Sequence, residues 1–430
     1  MESLMSNVIL VLFVITWIAT FIFYQRKKGH FDVGSVLLCT YMLYSIMSLI
    51  LFNIENPFNT FENIQLFPFI YLYLMLMLAF SPILKYDVNK ISEIQKPTTI
   101  FLNITCLIFI LASLVQLPTI ISDFSINILK LLTSSSGGQD LYDEAMSDSF
   151  SSGAGIIKNL PSIISNSFGN FGILLFFYYL TLNKRNKFIL IGLLISSLIN
   201  IFINISLGQR GPIIEILLSL IITYFALKTF FQPKINKIIK IIGITLVVLT
   251  SLPVIYLTNS RFGDFDGGPL TSVYYYAGQE NLYFNNYGLD DGGIRYGDRT
   301  FPLFKRMAGA ENVPINFWER RDKYPNLKIN DEVFYTFVGD FTLDFGPIVP
   351  PFIFLIFTFF VIRKTRIQDG ILKFHQLILL HFVMCLCMLG GMKLYPFSDV
   401  GGNIQLIVYF IAYIFFRLDY AGIQKRSEEM

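Results

Sequence analysis

Long apolar runs dominate the chain, at 7–24, 33–52, 63–84, 99–117, 161–182, 188–206, 212–231, 238–257, 343–362, 374–394 and 402–418. Each approaches the roughly 20 residues that an α-helix needs to cross the hydrocarbon core of a bilayer. Backbone groups in lipid have no water to bond, so each run must close its own hydrogen bonds as a helix. The sequence therefore predicts an all-α polytopic membrane protein with about 11 transmembrane helices. Only 15% of the 430 residues are charged, against about 25% in a soluble domain. Two runs are interrupted, 161–182 by Gly169, Asn170 and Gly172, and 343–362 by Pro347, Pro350 and Pro351.

Cations sort the connections between runs. Alternate ones hold Arg26, Lys27 and Lys28; Lys85, Lys90 and Lys96; Lys184, Arg185 and Lys187; Lys228, Lys234 and Lys237; Arg363, Lys364 and Arg366. The tail adds Arg417, Lys425 and Arg426, whereas 53–62 and 395–401 have no Lys or Arg. Excess Lys and Arg marks the cytoplasmic side. The expected arrangement has an odd number of spans, the N-terminus outside and the C-terminus inside. Met1 to Asn7 carries no cation, the reverse of a signal peptide, so 7–24 is expected to be an uncleaved first span. Cys39, Cys106, Cys385 and Cys387 all lie within apolar runs without disulfide or zinc spacing, and are read as packing residues.

Three features are expected outside. One is the acidic loop 118–160, with Asp140, Asp143, Glu144 and Asp148 and an amphipathic piece, Ile120 to Leu132. The second is the turn Leu207-Gly208-Gln209-Arg210-Gly211-Pro212, followed by Glu215 inside the next apolar run. The third is 258–340, long enough for a small extramembrane module. The expected division is 1–257, a bundle of eight spans; 258–340, a large outer loop; and 341–430, three spans and a cytoplasmic tail.

The turn and the long loop hold the candidate chemistry. Arg210 stands beside a helix start, where open N–H groups favour an anion. It either serves such a site with Glu215 or pairs with Glu215 at the interface. Arg261, Arg295, Arg299 and Arg306 add cations on the same expected side. Guanidinium forks match phosphate geometry, so several converging would suit a pyrophosphate. The alternative is separate ion pairs with Asp264, Asp266, Asp298 and Glu311. Tyr276, Asn285 and Tyr287 lie in a mixture of aromatics, Asn and Gly that can cover sugar faces and pair with hydroxyls, or simply form a solvated loop. His30, His375 and His381 are the only histidines, and none falls in an outer loop. A general base there must be a carboxylate, Glu280, Asp264, Asp266 or Glu215, or be absent. The stretch around Asp340 and Asp344 leads into a Gly/Pro-rich membrane segment and lines a substrate path or forms an interfacial belt. No phosphate-binding glycine loop and no paired metal ligands stand out, so no cofactor and no metal are expected.

Taken together, Gly208 to Gly211, Tyr276 to Tyr287, Tyr296-Gly297-Asp298-Arg299-Thr300-Phe301, Gly339-Asp340-Phe341 and Asp344-Phe345-Gly346 resemble the Wzy-type oligosaccharide repeat-unit polymerases, the O-antigen polymerase family. The resemblance implies a GT-C-like bundle in the bacterial inner membrane. It also implies glycosyl transfer at the periplasmic face, from an undecaprenyl-pyrophosphate-linked glycan to the terminal sugar of an incoming lipid-linked repeat. Arg210 and Arg261 would then act on the leaving pyrophosphate, with Glu280 as base. Glu215, Tyr276, Asn285, Tyr287, Arg295, Arg299 and Asp340 would hold substrate. Implied partners are the lipid-linked oligosaccharide, the bilayer, a chain-length regulator and a flippase, and no nucleic acid. Two other readings compete, a lipid-linked oligosaccharide flippase and a non-catalytic component of a polysaccharide assembly complex.

Overall fold

The computed structural model describes residues 2–54, 61, 63–133, 137, 139–141, 156–262, 268–329, 335–392 and 394–428. At 2, 131–132, 156–159, 260–262, 268–269 and 424–428 the description is of the backbone. The helices are α1 (Glu2–Lys28), α2 (Val33–Asn53), α3 (Leu66–Lys85), α4 (Thr99–Thr133), α5 (Ile156–Thr181), α6 (Lys187–Ser206), α7 (Gly211–Leu227) and α8 (Pro233–Phe262). They continue with α9 (Gly268–Tyr287), α10 (Pro302–Met307), α11 (Phe317–Lys323), α12 (Thr336–Phe345), α13 (Val349–Lys364), α14 (Phe374–Leu389) and α15 (Asp399–Glu428). Among the described residues, 9 helices have the length and apolarity to cross a membrane: α1 to α8 and α15.

The two remaining expected spans are built differently. The run 343–362 breaks at Gly346, whose φ of 73° suits glycine alone among common residues. It divides between α12 and the 16-residue α13. The run 374–394 gives the 16-residue α14, which ends at Gly390. A helix of 16 residues rises about 24 Å, short of the ~30 Å hydrocarbon core. Every residue of α14 except Leu379 is buried. Its side chains are thus covered by protein rather than left for lipid, as in a helix at the centre of a bundle.

Two further differences concern the expected outer segments. The piece Ile120 to Leu132 is not separate: α4 runs through Pro118 as one helix of 35 residues. The stretch 258–340 is largely helical, holding the end of α8, all of α9 to α11 and the start of α12. Asp143, Glu144, Asp148, Asp264 and Asp266 lie outside the described residues.

The chain divides into two compact units. The first comprises 1–92 and 270–413. Its core is aromatic. Phe13 stacks on Phe69 at 4.2 Å, and Trp17, 1% exposed, packs on Tyr41 and Tyr73. The Tyr41 hydroxyl donates to the Cys387 carbonyl at 2.8 Å, tying α2 to α14. Helix α2 starts where Asp32 and Ser35 cap each other: Asp32 Oδ1 accepts from Ser35 N at 2.9 Å, and Ser35 Oγ from Asp32 N at 3.0 Å.

The second unit comprises 93–269 and 414–430. Helices α4, α5 and α6 pack on one another, with α7 against α5 and α6. Small residues let them approach: Gly172 faces the Phe109 ring and Gly192 faces Ile110. Polar pairs cross the same contacts, Ser113 to Ser165 at 2.9 Å and Ser219 to Asn170 at 2.7 Å. Helix α8 leaves Ile244, Val248, Leu252 and Ile255 exposed, an apolar flank of the kind that lipid covers.

Candidate functional site

In the second unit the Arg210 turn is a helix end followed at once by a helix start. Gly208 takes φ 63°, its N–H bonds to the Ile205 carbonyl at 3.1 Å, and Gln209 N–H bonds to the Asn204 carbonyl at 2.8 Å. That closes α6 in the left-handed turn glycine permits. Arg210 is the N-cap of α7, and Pro212 sits in its first turn. Ile201, Ile205 and Ile213 pack together beneath the turn. Arg210 is 7% exposed, and its Nη1 donates to Thr258 Oγ1 on α8 at 2.7 Å. Thr258 in turn donates to the Val254 carbonyl at 2.6 Å. One turn beyond Thr258, Arg261 is in the last turn of α8; its side chain lies outside the description. Glu215 is half-buried in the second turn of α7.

In the first unit, Arg295, Arg299 and Asp340 form a buried ionic cluster with residues that the sequence reading did not place there. Arg295 is fully buried and spans two carboxylates of α12, with Nη2 2.9 Å from Asp340 Oδ1 and Nε 2.7 Å from Asp344 Oδ1. Arg299 Nη1 lies 3.3 Å from the same Asp340 oxygen, and its Nε lies 3.8 Å from Asp399. Arg320 meets Asp399 at 2.9 Å. The second oxygen of each α12 carboxylate is also used. Asp340 Oδ2 accepts from Tyr395 N at 2.8 Å. Asp344 Oδ2 accepts from Thr300 N and Thr300 Oγ1, both at 2.7 Å. Asn403 closes the rim by donating to the Thr300 and Phe397 carbonyls at 2.8 Å. Three arginines face three carboxylates in these contacts, and Asp291, also buried, lies within electrostatic reach of Arg295 and Asp340. Beside it, Asp298 is held by Lys305, by Lys323 at 2.6 Å and by the Tyr324 hydroxyl at 2.8 Å. Burial pushes the Asp298 carboxyl up, but these three donors outweigh it and hold it below the usual carboxylate range.

Glu280 is also fully buried in the first unit, on α9, and neither carboxylate oxygen has a hydrogen-bond partner among the described residues. The hydroxyls of Tyr44 and Tyr41 are near enough to feel its charge. Burial raises its pKa well above the ordinary carboxylate value, which favours the neutral acid. Helix α9 reaches α2 through Gly278: a Cβ there would come within 2.6 Å of the Met47 backbone. Ser48 Oγ donates to the Gly278 carbonyl at 2.8 Å and accepts from Asn281 at 2.9 Å. Asn285 is engaged with the backbone, its amide exchanging bonds of 2.7 and 2.9 Å with Gln65 at the start of α3. Tyr276 and Tyr287 are half-buried, against the rings of Tyr275 and Tyr283 respectively.

The structure thus gathers Arg295, Arg299 and Asp340 in one cluster, and puts Glu280, Tyr276, Asn285 and Tyr287 on one helix. In the other unit, Arg210 bonds to Thr258, which lies one helical turn before Arg261 on α8. Missing from the sequence reading were Thr258, Arg320, Asp399 and Asn403, and the role of Asp344 as a second ligand of Arg295. The spacing held a signal for the last. Asp340 and Asp344 are four apart on a helix, and so share one face; Arg295 and Arg299 have the same separation. Among the described residues no three His, Cys, Asp or Glu side chains converge as a metal site requires.

No family model, no curated protein and no solved structure matches the chain. The apolar helices define its class: it is a multi-pass helical membrane protein.

Proposed function

We propose that this protein is a glycosyltransferase that polymerises lipid-linked oligosaccharide repeat units at the outer face of a bacterial inner membrane. The observation that carries the reading is the Arg210–Thr258 hydrogen bond of 2.7 Å, which joins the start of α7 to α8 at a residue one helical turn before Arg261. A guanidinium held beside a helix start, with Arg261 as the proposed second cation, suits the charge that develops on a departing pyrophosphate. In the reaction, the anomeric C–O bond between the growing glycan and undecaprenyl pyrophosphate breaks. A bond forms from that carbon to a hydroxyl of the incoming repeat unit. The hydroxyl's proton goes to a base and undecaprenyl pyrophosphate leaves. Glu280 is the proposed acceptor of that proton, a role it can fill once entering hydroxyls or water solvate its carboxyl. Tyr276, Asn285 and Tyr287 are proposed to flank the sugar. Arg295, Arg299 and Asp340 are proposed to act through the fold that presents it. The proposed orientation has the N-terminus and 258–340 outside and the C-terminus inside, with α13 and α14 completing the bundle.

The test is the length distribution of lipid-linked glycan in cells lacking the gene, restored with native or variant protein. Native protein should restore a ladder. Arg210→Ala and Arg261→Ala should leave single repeats at normal protein abundance, and Thr258→Val should shorten the ladder. A full ladder from both arginine variants would remove the pyrophosphate site. Single repeats that stay on the inner face without the protein would identify a flippase instead.

A further inference from the structure

The first unit contains a second feature that the proposed reaction does not use. A cavity of about 530 Å³ opens where α3 and α13 end. That volume lies within the range of small-molecule and lipid sites. Its wall is apolar, formed by Pro82, Phe359 and Ile362 among others. Its lining also carries three cations, Lys85, Arg363 and Arg366, and no carboxylate. Lys85 is the last residue of α3, Arg363 is in the last turn of α13, and Arg366 follows two residues after α13. All three side chains are exposed, and among the described residues none has an ion-pair partner. Nearby carboxylates are committed elsewhere or stay out of the lining: Asp87 is 3.5 Å from Lys28, and Asp369 does not border the cavity.

We infer that this cavity binds an anionic phospholipid, with one acyl chain against the apolar wall and the phosphate among Lys85, Arg363 and Arg366. The chemistry is complementary at both ends. A phospholipid presents a chain that fits an apolar slot and, within a few ångströms, a phosphate that two guanidinium forks and an ammonium can reach. Three like charges gathered at one cavity mouth repel each other, and an anion between them removes that repulsion. The helix C-termini alone account for cations in the last turn, but not for an apolar cavity opening between them. The cations lie on connections that the sequence assigns to the cytoplasmic face, where anionic lipids are enriched.

The test uses purified full-length protein in nanodiscs of phosphatidylglycerol and phosphatidylcholine in equal parts. After gentle release into detergent, native mass spectrometry reads the retained lipid. Native protein should keep phosphatidylglycerol in clear preference to phosphatidylcholine. Arg363→Gln and Arg366→Gln should each lower that preference roughly fivefold. Lys90→Gln, a cation outside the cavity, should leave it unchanged. Ile362→Trp should fill the cavity and reduce retention with every charge intact, while Arg363→Lys should keep most of it. Monodisperse elution of each variant establishes that it is folded. Equal retention of the two lipids by native protein would overturn the inference, as would native-like preference in a variant carrying both Arg363→Gln and Arg366→Gln. It would also fail if added undecaprenyl pyrophosphate, and not phosphatidylglycerol, occupied the cavity.

Discussion

Arg295→Met is the sharpest perturbation of the ionic cluster. The guanidinium is fully buried and lies within 2.9 Å of Asp340 and 2.7 Å of Asp344. Methionine keeps the length of the side chain and removes its charge, leaving two buried carboxylates with one neighbouring cation, Arg299. Stripping one partner from a buried ion pair costs about 3–5 kcal/mol, because the remaining charge is left without compensation. That is a large share of the ~5–15 kcal/mol that holds a typical native state together. The melting temperature in detergent should fall by on the order of 10 °C, and folded protein in the membrane should decline with it. A partial rescue follows from the same geometry. Adding Asp340→Asn and Asp344→Asn removes the uncompensated charges but keeps acceptors for Tyr395 N and Thr300 N. The triple variant should therefore recover much of the lost stability. Fluorescence-detected size exclusion with a thermal ramp reads both effects. An Arg295→Met protein that melts like the native one while making no polymer would refute the reasoning, and would return Arg295 to direct contact with substrate.

Three further outcomes can be checked separately. Gly278→Ala should destabilise the protein by about 1–3 kcal/mol despite alanine's better helix propensity of ~1 kcal/mol, because its Cβ would meet the Met47 backbone at 2.6 Å; a thermal melt with no loss would mean that α2 and α9 can move apart. Glu280 is protonated more strongly in the folded state than in the unfolded one. Its contribution to stability is therefore full below the ordinary value of 4.5 and is lost as pH rises towards the folded value. Glu280→Gln should flatten this slope, so its melting temperature gains on the native protein from pH 5 to pH 8.5; parallel curves would count against a buried neutral acid. Cysteine at Asp290, whose side chain is 76% exposed, should react with a membrane-impermeant thiol reagent on intact cells, and cysteine at Ile235 should not; the reverse would invert the proposed orientation.

Hydropathy made the first eight spans and α15 legible, because each helix in lipid must be apolar over most of its length. It overstated the length of α14 for a physical reason. A helix surrounded by protein and a helix surrounded by lipid both want apolar side chains on every face, and only length separates them. Phe374 to Leu389 continues into Gly390 and Gly391, so the apolar run overstates the helix by about one turn. The break at Gly346 was visible as a Gly-Pro pair, yet prolines are common enough in membrane helices that the run still read as one span.

The partners of the arginines were less legible, and the reason bears on function. Proximity in sequence favoured Asp298 for Arg295 and Arg299, whereas the chain uses Asp340, 45 residues beyond Arg295, and Asp344 one helical turn further on. Asp298 is instead taken by Lys305 and Lys323. A count of cations along a loop therefore overestimates what the loop can offer an anion. With three arginines opposite three carboxylates and Asp291 close by, the cluster has no surplus positive charge, and a pyrophosphate would have to displace carboxylates that also hold Tyr395 N and Thr300 N. Arg210 stands in a different chemical setting. Its Nη1 donates to the Thr258 hydroxyl, which fixes the direction of the guanidinium. If phosphate chemistry occurs on this protein, that turn is where removing one methyl-sized polar group, Thr258→Val, should alter the product without altering the amount of folded protein.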